Sequence, residues 1–113
     1  MKGVSLMNPA IYTTKEIADK VRPIAEKYGA DKVYLFGSYA RNEATEDSDI
    51  DFYVEFSKPI GLKYCSFFSD IEDSVDKKID IVTKDALYNP VTVTINEEFI
   101  KRVLKERKCI YEH

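Results

Sequence analysis

At 113 residues, 44% of them apolar, the chain can fill one modest core, which excludes a multi-domain protein. A third of it is charged (33%), yet the net charge is only −3, so neither a disordered polyelectrolyte nor a general nucleic-acid binder with a basic surplus fits. No run nears the roughly 18 apolar residues of a membrane span, and two cysteines, Cys65 and Cys109, form neither a disulfide framework nor a metal-spacing motif, which points to a reduced, cytoplasmic setting.

Residues 1–12 read as a loose leader without a signal peptide's sustained apolar stretch, and residues 13–113 as a single domain. Thr13 followed by Glu16 fits a capping box, and Ile17, Val21, Ile24 and Ala25 recur at helical spacing up to Gly29. Pro23 falls inside that pattern and predicts a kink or a break. Lys32 to Phe36 is a run of β-formers ending at Gly37. From Asp49 to Phe56 the apolar Ile50, Phe52, Val54 and Phe56 alternate with Asp49, Asp51, Tyr53 and Glu55. One face of that strand is therefore core, and the other is expected to be open and acidic.

After Pro59 and Gly61, residues 62–76 read as a helix carrying Leu62, Cys65, Phe68, Ile71 and Val75. Lys78 to Val82 is a third strand, with Asp80 opposite Ile79 and Ile81. Residues 83–95 are ambiguous, and the run after Pro90 suits extended chain. Asn96 is placed to cap a last helix, Glu97 to Arg107, with Phe99, Ile100, Val103 and Leu104 as its buried stripe, before a short strand at Cys109 to Tyr111. Alternating helices and strands predict a two-layer α/β sandwich.

Asp49 and Asp51 stand two apart on one strand and project from its non-core face. Asp80 projects likewise, so the three converge if the strands are neighbours, roughly 4.8 Å apart. Clustered carboxylates repel unless cations lie between them. Hard oxygen donors of this kind suit Mg²⁺ together with a phosphate substrate. Ahead of them, Gly37-Ser38 opens what reads as a short helix through Arg41. Glycine lets backbone approach a phosphate, a helix start offers free N–H groups, and Ser38 adds a hydroxyl. Ser38 could equally be a cap, and Arg41 is open between phosphate contact and a structural ion pair. Glu43, Glu46 and Asp47 read as a solvated loop, and Tyr53 and Glu55 as an exposed extension of the acidic face. The basic run Lys101, Arg102, Lys105, Arg107 and Lys108 reads first as a solvated helix face and second as a partner contact.

Leu35-Phe36-Gly37-Ser38-Tyr39-Ala40-Arg41 followed by Ser48-Asp49-Ile50-Asp51-Phe52 resembles the GS-x10-DxD signature of the DNA polymerase β-like nucleotidyltransferases. Four fixed residues at that spacing arise by chance on the order of once in a thousand such chains, so the pattern carries weight. The shortness of the chain makes it most similar to the minimal nucleotidyltransferases (MNT), the antitoxin half of MNT–HEPN toxin–antitoxin pairs. The resemblance covers residues 13–82 and extends in outline over 83–113. It implies a mixed β-sheet with helices on one face and an acidic active site on the other. It also implies Asp49, Asp51 and Asp80 as catalytic metal ligands, Gly37 and Ser38 as nucleotide-binding residues, and two Mg²⁺ ions; Arg41 joins the nucleotide-binding set on its charge and its place in the turn. The implied reaction moves AMP from ATP to a tyrosine of a cognate HEPN ribonuclease toxin. One departure is Asn42, where the family commonly has glycine; Asn tolerates left-handed backbone better than other side chains. Two other readings compete: a non-catalytic antitoxin that neutralises its partner by complex formation, and a small-molecule adenylyltransferase subunit. The sequence leaves nucleotide choice and oligomeric state open.

Overall fold

The computed structural model describes residues 11–87 and 97–113, so most of the expected leader, the segment after Pro90 and the Asn96 cap lie outside the described residues. In chain order the elements are α1 (Thr14–Tyr28), β1 (Lys32–Phe36), β2 (Ile50–Glu55), α2 (Lys63–Val75), β3 (Ile79–Thr83), a one-turn α3 (Lys84–Leu87), α4 (Glu97–Glu106) and β4 (Lys108–Glu112). The four strands form one mixed sheet in the order β3-β2-β1-β4, with β2 and β3 parallel and the other pairs antiparallel.

Helix α1 begins as its sequence dictates. The Thr13 hydroxyl accepts from the Glu16 N–H at 3.1 Å, and the Glu16 carboxylate accepts from the Thr13 N–H at 2.8 Å. It stops at Gly29, whose φ of 74° is a left-handed cap. Pro23 does not break it: α1 is continuous from Thr14 to Tyr28. Pro23 is exposed, so the Asp19 carbonyl left without its donor faces the solvent side of the helix, while buried Ile17, Val21 and Ala25 hold both sides of the position against the sheet. Packing overrides the local preference here. At the entry to α1, the Tyr12 hydroxyl donates to the Val75 carbonyl at 2.8 Å and ties that end to α2.

Helices α1 and α2 cover one face of the sheet. Their residues Val21, Phe67 and Ile71 pack on Leu35, Ile50 and Phe52 in a continuous apolar core. The stripe of α2 is Phe67, Ile71 and Val75, spaced by four, rather than the line through Leu62 and Cys65 that the sequence suggested. Leu62 is 92% exposed and Cys65 is exposed as well, because they sit at the first turn, on the side turned from the sheet.

The opposite face is only partly open. Helix α4 lies over its β1 and β2 region, where Ile100 and Val103 bury Phe36 and Tyr53 in a second, smaller cluster. Tyr53, expected on an exposed surface, is therefore fully buried. Glu55 pairs with Arg107 at 3.7 Å, and the Arg107 guanidinium lies 4.6 Å from the Tyr34 ring centroid and 5.6 Å from that of Tyr53. Strict alternation along β2 identified the two faces; it could not reveal that a helix about 45 residues later would cover one of them.

Candidate active site

The sheet register assembles the site. Asp51 on β2 pairs with Phe36 of antiparallel β1 on one side and with Asp80 of parallel β3 on the other. Neighbours in register on one face stand about 4.8 Å apart across the strands, so Asp51 and Asp80 are adjacent carboxylates. Because Phe36 is the last residue of β1, the chain leaves the sheet at Gly37 directly beside Asp51.

Gly37 has a φ of 74°, and a Cβ there would drive into the Asp51 carboxylate. Only glycine meets both demands, and its missing side chain is what brings the loop backbone against the acid. Residues 37–42 form a tight turn rather than the expected short helix. The Arg41 N–H bonds the Gly37 carbonyl at 3.1 Å, and the turn closes as a Schellman motif. In that closure the Glu43 N–H bonds the Ser38 carbonyl at 2.9 Å and the Asn42 N–H the Tyr39 carbonyl at 3.4 Å. Asn42 takes the left-handed position with a φ of 59°, filling the role that glycine plays elsewhere. Buried Tyr39 pins the turn to the main core.

Gly37, Ser38, Arg41, Asp51 and Asp80 all line one cavity of about 440 Å³, a size ordinary for a small-molecule site. Asp49 is not part of its lining; it precedes β2 and is exposed. A network around Thr45 and Ser48 shapes the loop before it, with the Thr45 N–H donating to the Ser48 hydroxyl at 2.8 Å. Burial, with the charges of Asp80 and Asp49 nearby, pushes Asp51 up to about 6, while Arg41 pulls the other way. Among the described residues, no three acidic, histidine or cysteine side chains stand close enough to hold an ion by themselves.

Arg41 settles between its two readings by doing the structural job within the pocket. Its Nε donates to Glu43 and its Nη1 to Glu106, each at 2.9 Å, which links the turn to the last coil of α4. The remaining wall was missed by the sequence reading. It comes from α4, whose Phe99, Arg102, Val103 and Glu106 face the cavity. Their spacing of three, four and seven was the available signal for one helical face. Nothing in the sequence said that this face would meet the carboxylates.

A glycine turn built for close backbone approach, set against paired strand carboxylates in one pocket, defines a protein of the nucleotidyl-transfer class. The chain belongs to the nucleotidyltransferase domain family, whose sequence pattern matches residues 15–110. A relative from Methanocaldococcus jannaschii, named as a candidate protein adenylyltransferase, is 40% identical over 89 residues, spanning 76% of this chain and 91% of its own length. The protein adenylyltransferase MntA of Thermococcus cleftensis is 32% identical over 80 residues, spanning 70% of this chain and 81% of its own. The crystal structure of a toxin–antitoxin with AMP-PNP shares the fold, with a TM-score of 0.64 at 18% identity over 85% of this chain and 73% of that one.

Proposed function

We propose that this chain is an antitoxin that transfers AMP from ATP to a tyrosine hydroxyl of a cognate HEPN ribonuclease toxin. The carrying observation is Asp51, held in register between the Gly37 turn and Asp80 at one pocket. The names of its relatives, and a shared fold with a toxin–antitoxin bound to an ATP analogue, support the same reading.

In this reaction the tyrosine oxygen bonds to the α-phosphorus of ATP. The bond from that phosphorus to the bridging β-oxygen breaks, and pyrophosphate leaves. Gly37 and Ser38 hold the outgoing phosphates through backbone N–H groups and the hydroxyl. Asp51 and Asp80 fit Mg²⁺: both are hard oxygen donors on one wall, and the repulsion that raises Asp51 is what a cation relieves. Asp49 lies outside the pocket lining but near enough for its charge to act on Asp51, and is the third acid of the proposed set. Mg²⁺ commonly takes a few carboxylates and fills its shell with phosphate oxygens and water. Its chemistry, when bound, is to neutralise the phosphates and ease in-line displacement. Exposed Asp80 accepts the tyrosine proton. The open side of the pocket leaves room for an acceptor presented by a partner protein.

Incubation with ATP, Mg²⁺ and the HEPN partner, followed by intact mass, tests this. One or more AMP additions on the partner, absent with Asp49→Asn or Asp51→Asn protein, are expected. An unmodified partner in a stable complex would establish a binding antitoxin instead.

A further inference from the structure

The pocket's cations are not equivalent. Arg41 has its guanidinium engaged by two carboxylates, Glu43 and Glu106, at 2.9 Å each. It is therefore close to neutralised before any substrate arrives. Arg102 lines the same pocket from α4, is exposed, and makes no hydrogen bond or ion pair among the described residues. The cations beside it in sequence differ: Lys101 on the helix pairs with Glu97 at 3.3 Å, and Arg107, just after the helix, pairs with Glu55 and is laid over Tyr34. Helix α4 is fixed at the turn by the Glu106–Arg41 bond and at the sheet by buried Ile100 and Val103. One turn back from Glu106, Arg102 is thus presented to the cavity by a rigid element.

A polyphosphate entering this pocket brings several negative charges to a wall that already holds Asp51, Asp80 and Glu106. Metal ions at the carboxylates offset part of that charge, and the Gly37 turn contributes only dipoles. A free guanidinium is the group best matched to the remaining phosphate oxygens, which it can take two at a time. We infer that Arg102 is the cationic side chain that binds the polyphosphate of the nucleotide, beside the Ser38 hydroxyl, while Arg41 holds the turn and α4 together. This rests on the nucleotide-transfer reading above but is independent of the acceptor's identity.

The test measures displacement of a fluorescent ATP analogue from the full chain in Mg²⁺, using AMP-PNP and inorganic tripolyphosphate as competitors. Arg102→Ala is expected to weaken both competitors about tenfold or more, the loss of a charge-assisted bond. Arg102→Lys should recover part of the loss, and Lys105→Ala, the same charge change away from the pocket, should stay within about twofold. Unchanged tripolyphosphate affinity in Arg102→Ala, or an equal loss in Lys105→Ala, overturns the assignment. A wild-type chain that binds no nucleotide overturns the nucleotide reading itself, and this inference with it.

Discussion

The two faces of the sheet are built from alternate residues of the same strands, yet they do different work. Under α1 and α2, Val33, Leu35, Ile50, Phe52 and Val54 meet Val21, Phe67 and Ile71 in a closed apolar layer with no charge in it. Under α4 the layer is smaller, aromatic and bordered by ions: Phe36 and Tyr53 are covered, while Asp51 and Asp80 a residue or two away are left to the pocket. The first face supplies the stability that lets the second hold like charges side by side. A carboxylate raised to about 6 is a strain on the fold, and it is tolerated because the opposite side of the same strand is so well packed.

Variants on either face should separate these roles. Asp51→Asn should lower AMP transfer by about a thousandfold or more, since charge stabilisation at such sites is worth several kcal/mol. The same variant should melt no lower than wild type, because it removes an uncompensated charge; a large fall in melting temperature would show that Asp51 is structural. Phe67→Ala, on the other face, should cost about 3–5 kcal/mol in denaturant unfolding by removing a fully buried ring. Gly37→Ala tests the contact between turn and acid. Forcing a Cβ into a left-handed position should cost about 1–2 kcal/mol and displace the Asp51 carboxylate, so transfer should fall much further than stability.

Acidity offers a finer comparison. Asp51 titrates near 6 in the folded chain against an ordinary value of 3.8, so the folded state holds its proton more tightly than the unfolded one. The metal-free protein should have this contribution in full below about pH 4 and lose it as pH rises through 6. Melting curves of wild type and Asp51→Asn should diverge over that window, and parallel curves would deny the raised value. The smallest effect is expected at the N-cap, where Thr13→Ala should cost about 1 kcal/mol and leave transfer unchanged.

Local chemistry was legible wherever a few adjacent residues decide the outcome. The capping box of α1, the bounds of β1, the alternation of β2 and the left-handed Asn42 all follow from short-range sterics and hydrogen bonding. Asp51 and Asp80 could be placed on one face because strand alternation fixes the side to which each points, and Gly37 and Ser38 beside them because they follow β1 directly in the GS-x10-DxD pattern. The misreadings share a cause. Local pattern weighs Pro23 without the packing that keeps its helix unbroken, and places the stripe of α2 on Leu62 and Cys65 without the position of the sheet.

The sequence by itself determined the longer helices and the strands, the two faces of β2 and the acids that stand on one of them, because backbone geometry sets those within a few residues. Only the tertiary structure decided that Asp80 falls in register with Asp51, that α4 roofs Tyr53, and that Arg41 is engaged by Glu43 and Glu106 while Arg102 makes no hydrogen bond or ion pair among the described residues. Each of those is a contact between residues far apart in the chain, fixed by how the core packs and not by any local preference.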